Sequence, residues 1–262
     1  MSQNGEDHLL LRAFEGQERG FFIDVGAFDG IHLSNTYVLE QLGWTGYCLE
    51  PAPDIFELLH RNRPGSICLP AAAGAARGET MLFRDPTRLL SSIDNENRTV
   101  ANYEGAKPEL GLDQDGVEPV AVPVTTVDDV LRKHAPPPTI DLISIDVAGG
   151  ERQVLDGFDL TLHRPRVLVI AAASAAARTD LIDHLAKAGY THCRDMASSL
   201  FFAREKALVL RLRWTPVRCL LPRNLHPFGE RYTHPAQRTD RVVLGEDSVP
   251  LFVVESSVEG PA

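Results

Sequence analysis

The run Gly20-Phe-Phe-Ile-Asp-Val-Gly-Ala-Phe-Asp-Gly30, answered by Gly46-Tyr-Cys-Leu-Glu-Pro51, constrains this chain more than any other feature. Phe21, Phe22, Ile23 and Val25 make a short apolar run of the kind that becomes a buried strand, and it ends in a turn holding Gly26 and Gly30. Glycine at such a turn lets the backbone approach a ligand without a side chain in the way. Tyr47 to Leu49 reads as a second strand, terminated by the carboxylate of Glu50 and followed by Pro51. A carboxylate about twenty or more residues beyond a glycine turn is where a nucleotide-binding fold grips the two hydroxyls of a ribose. Together the two strand ends predict an adenosine pocket.

The glycine spacing narrows the choice of adenosine. Dinucleotide binders use G-x-G-x-x-G, which seats a diphosphate on a helix N-terminus. Here the spacing is Gly26-x-x-x-Gly30, with the carboxylates of Asp24 and Asp29 in the turn region. Those acids repel a diphosphate but tolerate the cationic amino group and sulfonium of S-adenosylmethionine. The same spacing disfavours a nicotinamide-dependent oxidoreductase.

The chain has 262 residues, room for one large α/β domain with an extension or for two small domains. Its net charge of −10 argues against nucleic-acid binding, since nothing offsets phosphate repulsion. No apolar run approaches the roughly 20 residues needed to span a bilayer, and no signal-peptide pattern opens the chain. The four cysteines, Cys48, Cys68, Cys193 and Cys219, show no C-x-x-C spacing, and Cys48 and Cys68 fall inside apolar strands as buried thiols. A reducing cytoplasm is the expected compartment.

Strands alternate with helices along the chain. Helical spacing runs from Leu33 to Leu42 with Gly43 as its stop, and again from Pro53 to Asn62, stopped by Arg63-Pro64-Gly65. Short strands are expected at Ser66–Leu69, Glu79–Arg84 and Val120–Val124. A helix follows from Thr125 to near His134. Ile140–Val147 is a strongly apolar strand turned by Gly149-Gly150 into a helix through Leu155, and Arg166–Ile170 is the next buried strand. Ala175–Ala188 is a helix, and Thr191–Cys193 with Leu200–Ala203 form a closing antiparallel pair. This order predicts a doubly wound, mostly parallel sheet with ligands at the carboxyl ends of its strands. The long polar segment 86–118 reads as a lid or binding loop. Residues 206–262 read as a C-terminal extension packing on a domain of residues 1–205, with Leu208–Trp214 alternating like a strand. That extension is a candidate substrate or oligomer surface.

Over roughly its first 205 residues the chain resembles the FkbM-type S-adenosylmethionine-dependent methyltransferases. The segments that carry the resemblance are Ser2-Gln-Asn-Gly-Glu-Asp7, Phe22 to Gly30, Ser34-Asn-Thr36, Gly43 to Pro51, Thr125-Thr-Val-Asp128 and Asp141 to Glu151. The resemblance implies a Rossmann-like class I methyltransferase fold and methyl transfer to a hydroxyl, often on a sugar, glycan or polyketide. Two positions depart from the family pattern: Ala148 stands where the strand-to-helix turn usually has Glu, and Ala171 where the next strand usually ends in Glu. Those departures keep a second reading open, a catalytically silent S-adenosylmethionine-binding or scaffold protein.

For the cofactor, the candidates are Asp24, Gly26, Gly30, Glu50 and Pro51, with Ser34 and Asn35 able either to reach it or to cap the first helix. Ser2 to Asp7 alone reads as an unstructured terminus, and the resemblance gives Gln3 and Asp7 a cofactor-side role. For catalysis, Asp146 ends the apolar strand 140–147, so it can orient an acceptor hydroxyl, take its proton or hold a divalent metal. The bland alternative is a carboxylate satisfied by the amides of Gly149 and Gly150. Glu151 is a second candidate, although a Glu in a first helical turn is stabilising without further purpose. His32, two residues past Gly30, is a candidate general base. With Ala at 148 and 171, too few ligands converge for a metal.

Overall fold

The computed structural model describes residues 2, 4–84, 118–172 and 174–215, and Gln3, most of the 86–118 segment and residues 216–262 lie outside the described set. Its centre is a seven-stranded sheet in the order β3-β2-β1-β7-β8-β10-β9. The strands are β1 (Phe21–Val25), β2 (Thr45–Leu49), β3 (Ser66–Leu69), β7 (Leu142–Ile145), β8 (Val167–Ala171), β9 (Thr191–Met196) and β10 (Ser199–Ala203). The first five run parallel, and β10 pairs antiparallel with both β8 and β9. Every residue of β1 is buried, as a central parallel strand covered on both faces requires. A second sheet of three strands is ordered β4 (Ala72–Ala73), β6 (Glu118–Thr125), β5 (Gly78–Arg84).

Alternate residues of each central strand face opposite layers. Phe21, Ile23 and Val25 pack with Ile143, Ile145, Leu168 and Ile170 under α4 (Val127–His134), α5 (Glu151–Asp156) and α7 (Ala175–Lys187), with the short α6 (Leu160–His163) beside them. Phe22, Cys48, Leu142 and Val169 pack on the other face under α1 (Glu6–Ala13), α2 (Tyr37–Gln41), α3 (Pro53–Asn62) and α8 (Lys206–Trp214). The crossovers through α2 and α3 carry the chain outward to β2 and β3, and β7 then pairs with the opposite edge of β1. The winding therefore reverses between β1 and β7, and a sheet of this type binds its ligands in the crevice at that reversal.

The strands expected from apolar runs are present, and the doubly wound fold class holds. Three local expectations change. Ser2–Asp7, which reads alone as an unstructured terminus, runs into α1, whose first two residues, Glu6 and Asp7, are buried. The helix after β1 is Tyr37–Gln41 rather than Leu33–Leu42, because Leu33 sits at φ +58° and Ser34 to Thr36 form a turn tied down by side-chain hydrogen bonds. Leu208–Trp214 is helical, not extended: only Leu208 and Leu212, four apart, are buried in it, and they pack beside α1.

Candidate active site at the reversal of the sheet

Two turns meet at the carboxyl ends of β1 and β7. The amides of Gly26 and Ala27 both donate to the Leu49 carbonyl at 3.0 Å, which ties the glycine turn to the end of β2. Gly26 has φ +81°, and a Cβ there would lie 1.9 Å from the Asp146 carbonyl oxygen. Only glycine lets the two strand ends pass this closely. Gly30 also has φ +81°, and a Cβ would meet the Arg63 side chain at 2.5 Å.

Glu50 follows β2 and is buried, with Oε1 accepting from the Ala52 amide at 2.8 Å and Oε2 from the Phe28 amide at 3.1 Å. Burial pushes its carboxyl up to about 7, against the pull of those two amides. Each oxygen accepts one backbone donor, so lone pairs remain for the adjacent hydroxyls of a ribose. Pro51, half-buried, leads into α3, which carries Pro53 in its first turn.

Beneath the turn lies a residue that sequence reading treated only as a helix stop. Arg63 is wholly buried. Its guanidinium donates to Glu40 Oε2 at 2.8 Å, the Gly30 carbonyl at 3.1 Å, Thr36 Oγ1 at 3.0 Å and Ser34 Oγ at 3.4 Å, and it lies 5.1 Å over the Phe22 ring. Asp24 belongs to this network. It accepts from Thr36 Oγ1 at 2.6 Å, with Arg63 4.0 Å away. Burial raises its carboxyl above the usual range while Arg63 opposes the rise. Asp24 thus braces the 34–36 turn from below. The signals available for Arg63 were the acids Asp24 and Glu40, which need a cation once buried.

The remaining cofactor candidates sit in the same loop. Ser34 Oγ accepts the Tyr37 and Thr36 amides and so holds the turn that leads into α2, while Asn35 Nδ2 donates to Ser144 Oγ on β7 at 3.2 Å. Asp7 holds the N-terminal segment closed, accepting from Ser2 Oγ at 2.6 Å and from the Ser2 amide at 3.1 Å, and Ser2 bridges to Leu33. His32 is half-buried and hydrogen-bonds through Nδ1 to Asp29 Oδ2. Asp29 Oδ1 also accepts the amides of Ile31 and His32.

At the end of β7 the two acidic candidates separate. Glu151 is buried and accepts the amides of Val147 at 3.2 Å and Gly149 at 3.0 Å, which fixes the strand-to-helix turn. Burial still raises its carboxyl. The amide of Gly149, which the bland alternative assigned to Asp146, is therefore taken by Glu151. Asp146 accepts no hydrogen bond from the described residues. Its side chain reaches solvent, yet protein surrounds it deeply enough that burial, with the carboxylates of Glu151, Asp24 and Glu6, pushes its carboxyl up to about 7. Solvent contact offsets part of the rise. Ala148 beside it has φ +54°, and Ala171 ends β8 half-buried next to Ser199 of β10. Among the described residues no group of three or more His, Cys, Asp or Glu side chains is placed to hold a metal ion.

This arrangement fits S-adenosylmethionine: a glycine cradle that a Cβ would fill, a buried acid at the ribose position and, at the end of β7, a carboxylate with no donor among the described residues. No described helix is long and apolar enough to cross a membrane. No curated protein matches the chain in sequence. Solved structures of similar outline include the METTL16 methyltransferase domain, at 12% identity and a TM-score of 0.43 over 76% of this chain and 65% of that one. Others are a ribosomal protein L11 methylase from Lactobacillus delbrueckii subsp. bulgaricus (10%, 0.41, 75% and 77%) and a TehB-like S-adenosylmethionine-dependent methyltransferase from Corynebacterium glutamicum (13%, 0.39, 77% and 88%). The aligned region of METTL16 is thus less than two thirds of that domain. Residues 24–191 match the methyltransferase FkbM domain, so the chain belongs to that family and is an S-adenosylmethionine-dependent methyltransferase.

Proposed function

We propose that the protein is an O-methyltransferase acting on a hydroxyl of a sugar, polyketide or related small molecule or glycan. The observation that carries this reading is Asp146: a solvent-reached carboxylate without a hydrogen-bonded partner among the described residues, standing where the winding reverses. A carboxyl held near neutrality is suited to accept a hydroxyl proton, because it is partly ionised at working pH.

The cofactor supplies an electrophilic methyl group, so the main task of the protein is placement. Holding reactants in line supplies about 7–11 kcal/mol of a barrier, and a positioned base adds roughly a hundred- to ten-thousand-fold. In this reading Glu50 grips the ribose, the Gly26–Gly30 turn admits the amino-acid end, and Asp146 orients the acceptor hydroxyl and takes its proton. His32, its ring fixed by Asp29, is the second group at this edge able to receive a proton. Glu151 serves by holding the turn on which Asp146 stands. The concentration of carboxylates favours uncharged polyhydroxy acceptors over anionic ones.

Calorimetric titration with S-adenosylmethionine and S-adenosylhomocysteine, followed by turnover with a deuterated methyl donor and a panel of hydroxylated acceptors, tests this reading. Mass label on an acceptor oxygen is the expected result. Binding without transfer to any hydroxyl, or label on nitrogen, overturns it. Ala148→Glu and Ala171→Glu belong in the same assay: if the two alanines limit the reaction, restoring the acids raises the rate at unchanged cofactor affinity.

A further inference from the structure

A row of side chains crosses four neighbouring parallel strands on the face covered by α1 to α3. Ser144 of β7 is in register with Asp24 of β1, Asp24 with Cys48 of β2, and Cys48 with Cys68 of β3. The row ends in two free thiols side by side, Cys48 fully buried and Cys68 half-buried. Register partners on adjacent parallel strands lie about 4.8 Å apart, inside the window of about 4.4–6.8 Å between Cα atoms that a disulfide accepts. Cys48 belongs to the apolar cluster on that face, and Cys68 packs against the same cluster.

We propose that Cys48 and Cys68 form an oxidisable dithiol site that hydrogen peroxide converts to a disulfide. The Cys68 thiolate attacks one peroxide oxygen; the O–O bond breaks, water leaves after protonation, and Cys68 becomes a sulfenic acid. The Cys48 sulfur then attacks the Cys68 sulfur. The S–S bond forms as the S–O bond breaks, and a second water leaves with the Cys48 proton. Two thiols are oxidised and one peroxide is reduced to two waters.

The surroundings support this order of events. The neighbouring Cys48 side chain, helped by the Arg63 guanidinium, holds the Cys68 thiol below its ordinary value against the effect of burial. Burial pushes the Cys48 thiol well up, which suits the resolving partner rather than the first nucleophile. Cys193, buried on β9 with Thr191 and Ala203 about it, has no cysteine register partner. The bond would tether β2, which Glu50 follows, to its neighbour β3. The proposal stands on strand register and does not depend on the acceptor or the reaction.

The test treats the full chain with a small excess of hydrogen peroxide, then measures intact mass and maps peptides without reduction. The expected result is a loss of about 2 Da, a single Cys48–Cys68 linked peptide, reversal by dithiothreitol and a melting temperature raised by a few degrees. Cys48→Ser should abolish the link and leave a Cys68 sulfenic acid that dimedone traps. A wild-type chain that gains oxygen at Cys68 without a link, links through Cys193 or Cys219, or leaves both thiols reduced overturns the proposal.

Discussion

The two ends of β7 carry the same side chain and treat it in opposite ways. Asp141 enters the strand buried, accepting the Phe21 amide at 3.0 Å and the Arg166 guanidinium at 2.9 Å. Asp146 leaves the strand exposed, with no donor among the described residues and three carboxylates acting on it. Arg166 also reaches Glu205 and Gln17, so the amino edge of the sheet is neutralised by a dedicated cation. At the carboxyl edge the corresponding cation, Arg63, is buried under the glycine turn and engaged with Glu40, Thr36 and Ser34. Among the described residues one acid is left without a donor while its twin five residues earlier is paired, which keeps charge available for a group other than those residues. That contrast separates a structural carboxylate from a working one without reference to any relative.

The contrast can be broken in several ways. The largest effect should come from Asp146→Asn, which lowers kcat roughly 100- to 10,000-fold while leaving thermal stability unchanged. Its pH profile should also lose the limb near 7, since the rate rises as that carboxyl ionises. If stability falls and the rate does not, Asp146 is no different from Asp141. Arg63→Met strands Asp24 and Glu40 as buried charges and should cost about 3–5 kcal/mol in denaturant unfolding. Asp141→Asn should cost about 1.5–3 kcal/mol, with cofactor affinity intact by calorimetry, because its partners are all structural.

Glu50→Gln sharpens the comparison from the cofactor side. It should weaken S-adenosylhomocysteine binding roughly 10- to 100-fold, the worth of a hydrogen bond to a charged group. The sign of the accompanying pH effect follows from burial. Folding moves this carboxyl from 4.5 to about 7, so its contribution to stability is full below 4.5 and is lost as pH rises through about 7. Melting curves of the ligand-free protein should therefore fall across that window, and the Gln variant should be flatter. The smallest effect is Ala148→Gly, which relieves a left-handed alanine and should add about 1 kcal/mol.

Much of this was legible in the residues. Strands β1, β2, β7 and β8 are continuous apolar runs because both faces are covered, and that signal survives without an alignment. The glycine turn and Glu50 were legible because backbone geometry and strand-end position leave few residue choices. Arg63 was not, because its role depends on Asp24, Glu40 and Gly30 converging from three separate segments. Glu151 and Asp146 were inseparable in sequence for a related reason: which of two neighbouring acids takes the turn amides is decided by the fold of five residues, not by their order. α8 misled because Leu208, Leu210 and Leu212 alternate, while only the outer two are buried. The expectations for Gln3, the 86–118 segment and the C-terminal extension beyond residue 215 fall outside the described residues.

The foot of the small sheet has a further consequence. The Gly74 amide donates to the Thr125 carbonyl at 2.9 Å, and a Cβ on Gly157 would sit 2.1 Å from the Gly74 carbonyl oxygen, so three segments are clasped at one point. Strands β5 and β6 thus join the main scaffold beside this clasp, and Leu82 and Val122 pack back on Ala52 and Ile55. A side chain at position 157 would therefore prise the small sheet away from its base.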